Sequence, residues 1–199
     1  MNTEKYQKWT EHNWEEELKR EDTKISAYLN ELPLYLDLPN EEDIIFHKLN
    51  EKNIPLHDLP LWEDMDDDLD FINEFSPGVK KEDSVNSKFY YNIGNLTTAI
   101  NIFVSTESNI SNSISLNLLY LLGKLMSLQV DIAQTPSSDL PNLKTALLKR
   151  QISTINKIIG ILNSFKSIKT LNLKKVEEHI LNTHKLRNII IDSRFNHII

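Results

Sequence analysis

Asn142 to Lys166 reads NLKTALLKRQISTINKIIGILNSFK, and this stretch decides the fold class. Leu148, Ile152, Ile155, Ile159 and Leu162 recur every three or four residues as one stripe, which Ile158, Ile161 and Phe165 widen. That period is the signature of a helix with a buried face. Lys149, Arg150, Lys157 and Lys166 fall on the polar side. The isoleucine content is high for a helix, yet tertiary burial overrides so weak a propensity, and no sustained alternation supports a strand.

Working outward, Asn86 to Val104 places Phe89, Ile93, Leu96, Ile100 and Phe103 on one helical face, and the polar run Ser105 to Ser111 ends it. Ser113 to Gln134 is apolar nearly all round, which predicts the most buried helix. Ser115, Asn117, Gly123, Lys124, Ser127, Gln129 and Asp131 interrupt it, so no transmembrane helix is expected. A turn at Thr135–Asp139 precedes Pro141, with Asp139 and Pro141 fitting a helix start. The last helix, about Leu173 to Arg194, turns Val176, Ile180, Leu186, Ile190 and Ile191 inward. Ile189-Ile190-Ile191 exceeds what one stripe needs; core burial is the expectation, with a dimer face as the alternative. Short links between helices of this length predict a four-helix antiparallel bundle over residues 84–199.

Residues 1–83 read as an acidic N-terminal arm. From Thr10, Trp14, Leu18, Ile25, Tyr28, Leu29 and Leu32 form a helical stripe, supported by Glu15 with Lys19 and Glu16 with Arg20, and Pro33 is expected to end it. Leu32–Pro39 and Ile54–Trp62 are proline-punctuated and apolar, suited to an extended chain that offers Leu34, Leu36, Leu56 and Trp62 to a groove. Between them Asn40 is a candidate N-cap, followed by Glu41, Glu42 and Asp43 at the positive end of a short helix. Trp62, Met65, Leu69, Ile72 and Phe75 then share one helical face, with acids on the other and Ser76-Pro77-Gly78 as a stop, a stripe that docks either on its own protein or on a partner. Over Trp62–Phe75 the sequence resembles the acidic-aromatic motifs of transcriptional activation domains and the Trp-acidic segment of the small acidic proteins of the proteasome and DNA repair. Asp64, Asp66 and Asp68 are followed by Leu69 where a calcium loop needs glycine, so no metal site is expected. Val79 to Lys88 reads as a linker.

Charge divides the chain at the same place. Residues 1–83 carry 9 Lys and Arg against 23 Asp and Glu, whereas 84–199 carry 13 against 6. Opposite halves read either as two independently solvated surfaces, or as an arm that lies on the bundle or surfaces that meet separate partners of opposite charge.

Catalytic chemistry finds little support. There is no cysteine, which excludes disulfides, thiolate metal sites and cysteine nucleophiles. The four glycines are too far apart for a phosphate loop, and no G-x-S-x-G occurs. His179 and His184 stand five apart, off a common helical face, and Glu177 and Glu178 miss the Glu-x-x-His spacing of di-iron bundles. No enzyme activity and no cofactor are expected. Lys149, Arg150, Lys157, Lys166, Lys169, Lys174 and Lys175 are a candidate basic patch, and the Phe and Tyr of these helices are expected at core-facing positions and not as stacking platforms beside it. The N-terminus lacks an apolar leader and is too acidic for a transit peptide, so a cytoplasmic or nuclear location without membrane attachment is expected. The reading that follows is a protein-interaction protein, an adaptor or complex subunit whose arm binds a partner and whose bundle is the scaffold. The alternative is a regulatory nucleic-acid-binding bundle autoinhibited by its acidic arm. No family is recognised over the length of the chain, and the oligomeric state is open.

Overall fold

A computed structural model of the chain describes residues 8–36, 38–54, 81–135 and 140–195. The fold is all-helical, with no strand among the described residues. Its elements are α1 (Glu11–Tyr35), α2 (Glu41–Glu51), α3 (Lys81–Thr106), α4 (Asn112–Gln134), α5 (Pro141–Ser164) and α6 (Leu173–Phe195), with a 3-10 turn, Phe165–Ser167, closing α5. The chain divides into two compact units, one made of Met1–Glu16 with Val85–Ile199 and the other of Glu17–Ser84. One division falls between Ser84 and Val85. The other lies within α1, whose first residues belong to the larger unit.

In the larger unit Phe89, Ile93, Leu96, Ile100 and Phe103 are buried, as their spacing requires. They share one core with Leu118, Leu122 and Leu125 of α4, Ile155, Ile158 and Leu162 of α5, and Val176, Ile180, Leu186 and Ile190 of α6. Phe165 is buried in the 3-10 turn, its ring centroid 6.4 Å from that of Phe103. The most buried helix is α5 rather than α4. Gly123, Ser127 and Asp131 line an exposed face of α4, whereas α5 runs beside both α4 and α6 and buries Ala146 and Leu147 besides its stripe. By length and composition α4 is the one described helix apolar enough to cross a membrane; within the chain, Leu118, Leu121, Leu122, Leu125, Leu128 and Ile132 of that helix are buried. Of the isoleucine triplet, Ile190 is in the core, Ile191 is half-buried and Ile189 is exposed.

The segment expected as a linker is helical from Lys81 onward, so α3 begins ahead of Asn86.

In the smaller unit α2 packs on the second half of α1. Ile45 and Leu49 are fully buried, with Ala27, Tyr28, Leu32 and Tyr35 of α1, and Phe46 and Ile54, around them. Glu31, buried on α1, binds the Lys52 ammonium across this small core. Pro33 does not end α1, which continues to Tyr35. A proline in the last turn forfeits one backbone hydrogen bond; Leu32 and Tyr35, packed on the small core, hold the turn regardless. Asn40 precedes α2 in the left-handed region (φ 61°), and its side chain makes no cap hydrogen bond. The other end of α2 is closed by Asn53, also left-handed (φ 56°). The Asn53 N–H donates to the Asn50 carbonyl (3.0 Å) and the Ile54 N–H to the Leu49 carbonyl (2.9 Å). These are the two bonds of a Schellman motif, with Ile54 and Leu49 as its apolar contact.

Candidate functional site

The first turn of α1 is built into the larger unit. Thr10 is its N-cap: the Thr10 N–H donates to Asn13 Oδ1 (3.0 Å) and the Asn13 N–H returns to Thr10 Oγ1 (3.4 Å), a reciprocal capping box. Trp9 before the cap lies against Trp14 in the first turn, ring centroids 4.7 Å apart, which is a hydrophobic staple. Two bonds then fix this end to α5. Asn142 Nδ2 donates to the Trp9 carbonyl (3.0 Å), and the Lys149 ammonium donates to the Glu11 carboxylate. Hydrogen bonding to Glu11 holds the Lys149 pKa above the ordinary lysine value. Of the expected ion pairs of α1 one is exchanged, Arg20 meeting Glu17 instead of Glu16.

Of the arm's candidate anchors, Leu34 and Leu36 are exposed at the end of α1, and Leu38 beside them is exposed as well. Sequence reasoning had not singled out Leu38, although its place between Leu36 and Pro39 repeats their pattern. Three exposed leucines in five residues make an apolar knob, with Glu42 and Asp43 exposed nearby at the start of α2. Leu56, Trp62, Met65, Leu69, Ile72 and Phe75 lie outside the described residues.

The candidate basic residues do not converge on one patch. Lys149 is occupied by Glu11, and Arg150 also has a partner. Lys157 is exposed alone midway along α5. From Lys149 to Lys166 the chain rises roughly 25 Å at helical pitch. Lys166, Lys169, Lys174 and Lys175 do gather, all exposed, around the α5–α6 turn. There Asn172 Oδ1 accepts the Lys175 N–H (3.3 Å), which sets the positive end of α6 among four ammonium groups.

Inside the larger unit lies a polar layer that the hydrophobic pattern did not announce. Gln151 Nε2 donates to Gln129 Oε1 (3.1 Å), and both side chains are fully buried. Thr154 and Thr183 are buried too, each donating its hydroxyl to the carbonyl four residues back. Among the described residues Gln151 Oε1 has no partner. A layer of this kind favours one alignment of α4 and α5 over slipped ones, at some cost in stability. The two glutamines are neither nucleophiles nor acids, and both threonine hydroxyls are engaged by helix carbonyls. Among the described residues no three His, Asp or Glu side chains gather as metal ligands do.

In the larger unit His179 is half-buried against the core. Its ring lies 5.0 Å from Phe103, and its Nδ1 is buried without a partner among the described residues. Burial pushes its pKa below the usual histidine value; Glu178 opposes the shift and Lys175 adds to it. The unfolded chain therefore binds a proton at higher pH than the folded one. Between the depressed folded value and about 6.5 stability rises with pH, and above that range the contribution is flat. Chemical denaturation from pH 4.5 to 7.5 should show this slope as the difference between the wild type and His179→Asn. Parallel curves for the two proteins would remove His179 as its source.

Compared with known protein families, characterised proteins and solved structures, the chain matches none of them.

Proposed function

We propose that this chain is a non-enzymatic interaction protein, an adaptor or a subunit of a larger assembly. In this reading α3 to α6 form a four-helix antiparallel bundle that serves as scaffold, and the acidic N-terminal arm grips a protein partner through apolar anchors. The observation that carries it is the exposure of Leu34, Leu36 and Leu38 together, 69%, 42% and 48% accessible. Apolar side chains clustered on a surface and rimmed by acids suit a partner with an apolar groove and a basic edge. Quantitative affinity purification with the wild type and with Leu34→Glu/Leu36→Glu/Leu38→Glu tests it. Proteins recovered with the wild type should fall at least about tenfold with the variant, as a loss near 1.4 kcal/mol would give. Equal recovery would count against the knob.

A second reading, a nucleic-acid-binding bundle, is favoured by one feature, the lysines at the α5–α6 turn. No carboxylate lies within ion-pair distance of these four among the described residues, whereas Lys48, Lys52 and Lys149 each meet one. Four phosphate contacts would give a log–log salt slope of about −3.6 on duplex DNA. No retention of DNA or RNA at low salt would exclude it.

A further inference from the structure

The face of α3 turned away from the core is unlike the exposed faces of α5 and α6. No residue from Phe89 to Thr106 carries a charge. Tyr91 is 68% and Ile102 59% accessible, and Asn95 and Thr98 between them are exposed. Spaced i, i+4, i+7 and i+11, these four form one straight seam along about three helical turns. Surface helices commonly expose ionised residues, and charge depletion with tyrosine in its place marks surfaces that other proteins cover.

We propose that this seam is where a second copy of the chain docks, through antiparallel pairing of α3 with α3. The order of the seam reads bulky apolar, small polar, small polar, bulky apolar. Reversed on itself, it sets Tyr91 of one copy against Ile102 of the other and Asn95 against Thr98, each pair occurring twice. A two-fold interface demands this self-complementarity.

Charge selects the same arrangement. Each chain carries a net charge of −7, so two copies repel at a distance, and the uncharged seam is where they meet without like charges in contact. The first ionised residues beyond its two ends are Lys88 and Glu107. Antiparallel pairing brings Lys88 of one copy to the same end as Glu107 of the other; parallel pairing would set Lys88 on Lys88 and Glu107 on Glu107. A single three-turn seam is small beside standard interfaces, so the dimer is a weak one, in exchange with monomer.

Sedimentation equilibrium of the full chain over a concentration series into the high-micromolar range tests this. The wild type should show concentration-dependent dimerisation. Tyr91→Lys and Ile102→Glu should each weaken it at least about tenfold, because each buries an unpaired charge in the seam. Both positions are exposed, so the thermal melts should stay unchanged. An equimolar mixture of the two variants should recover a heterodimer, since position 91 faces position 102 and the new charges are opposite. A wild type that stays monomeric throughout would overturn the proposal. So would a dimer indifferent to both substitutions, or variants whose mixture recovers nothing.

Discussion

Trp14→Ala is expected to lower the stability of the larger unit by about 3–5 kcal/mol, the usual cost of truncating a large buried aromatic. Trp14 is only 8% accessible, although it stands near the start of a helix far along the chain from the other helices of its unit. Its ring is held by Trp9, and the turn that carries it is fixed to α5 by Asn142 and Lys149. Urea denaturation followed by circular dichroism should show the midpoint of the larger unit fall with little change in slope. A shift under about 1 kcal/mol would mean that Trp14 lies on a surface and not in a core, as ordinary surface changes stay within about half that.

Phe165→Ala carries a similar expectation, about 3–5 kcal/mol. Phe165 is 1% accessible and sits where α5 ends, its ring near Phe103 of α3 within a core shared with α6. Three helices therefore lose packing at once. The neighbouring Lys166→Ala supplies the control, since Lys166 is exposed and its loss should leave the denaturation midpoint in place. Equal effects of the two substitutions would contradict the core assignment.

The helical class was legible because Phe89, Ile93, Leu96, Ile100 and Phe103, and likewise Leu148, Ile155, Ile159 and Leu162, repeat at the period of one buried face, and all are buried. Gln151 escaped that reading. Its side chain is polar by composition, yet it occupies an inward position and is tolerated there through Gln129, a partner on another helix. Thr10 was visible as the start of a stripe, but not as a cap with a staple. Asn13 stands where the familiar capping box has Glu or Gln, and Trp9 lies outside the helix it staples. The contact between Glu11 and Lys149 joins residues 138 positions apart, a separation no local pattern encodes. Pro33 misled because proline was weighed alone, without the packing of Leu32 and Tyr35. Among the candidate surface residues, Leu34 and Leu36 were readable as apolar positions beside a proline. That the seven cations fall into separate groups depends on helix length and on Glu11, and composition hides both.

The first turn of α1 folds as part of the helical unit that holds α3 to α6. Comparing the urea denaturation of the full chain with that of a fragment comprising residues 84–199 tests it directly. The fragment lacks Trp9, Thr10, Glu11 and Trp14, so it should unfold with a stability at least about 3 kcal/mol below that of the same unit in the full chain. A fragment that unfolds at the midpoint of the full-length unit would contradict it.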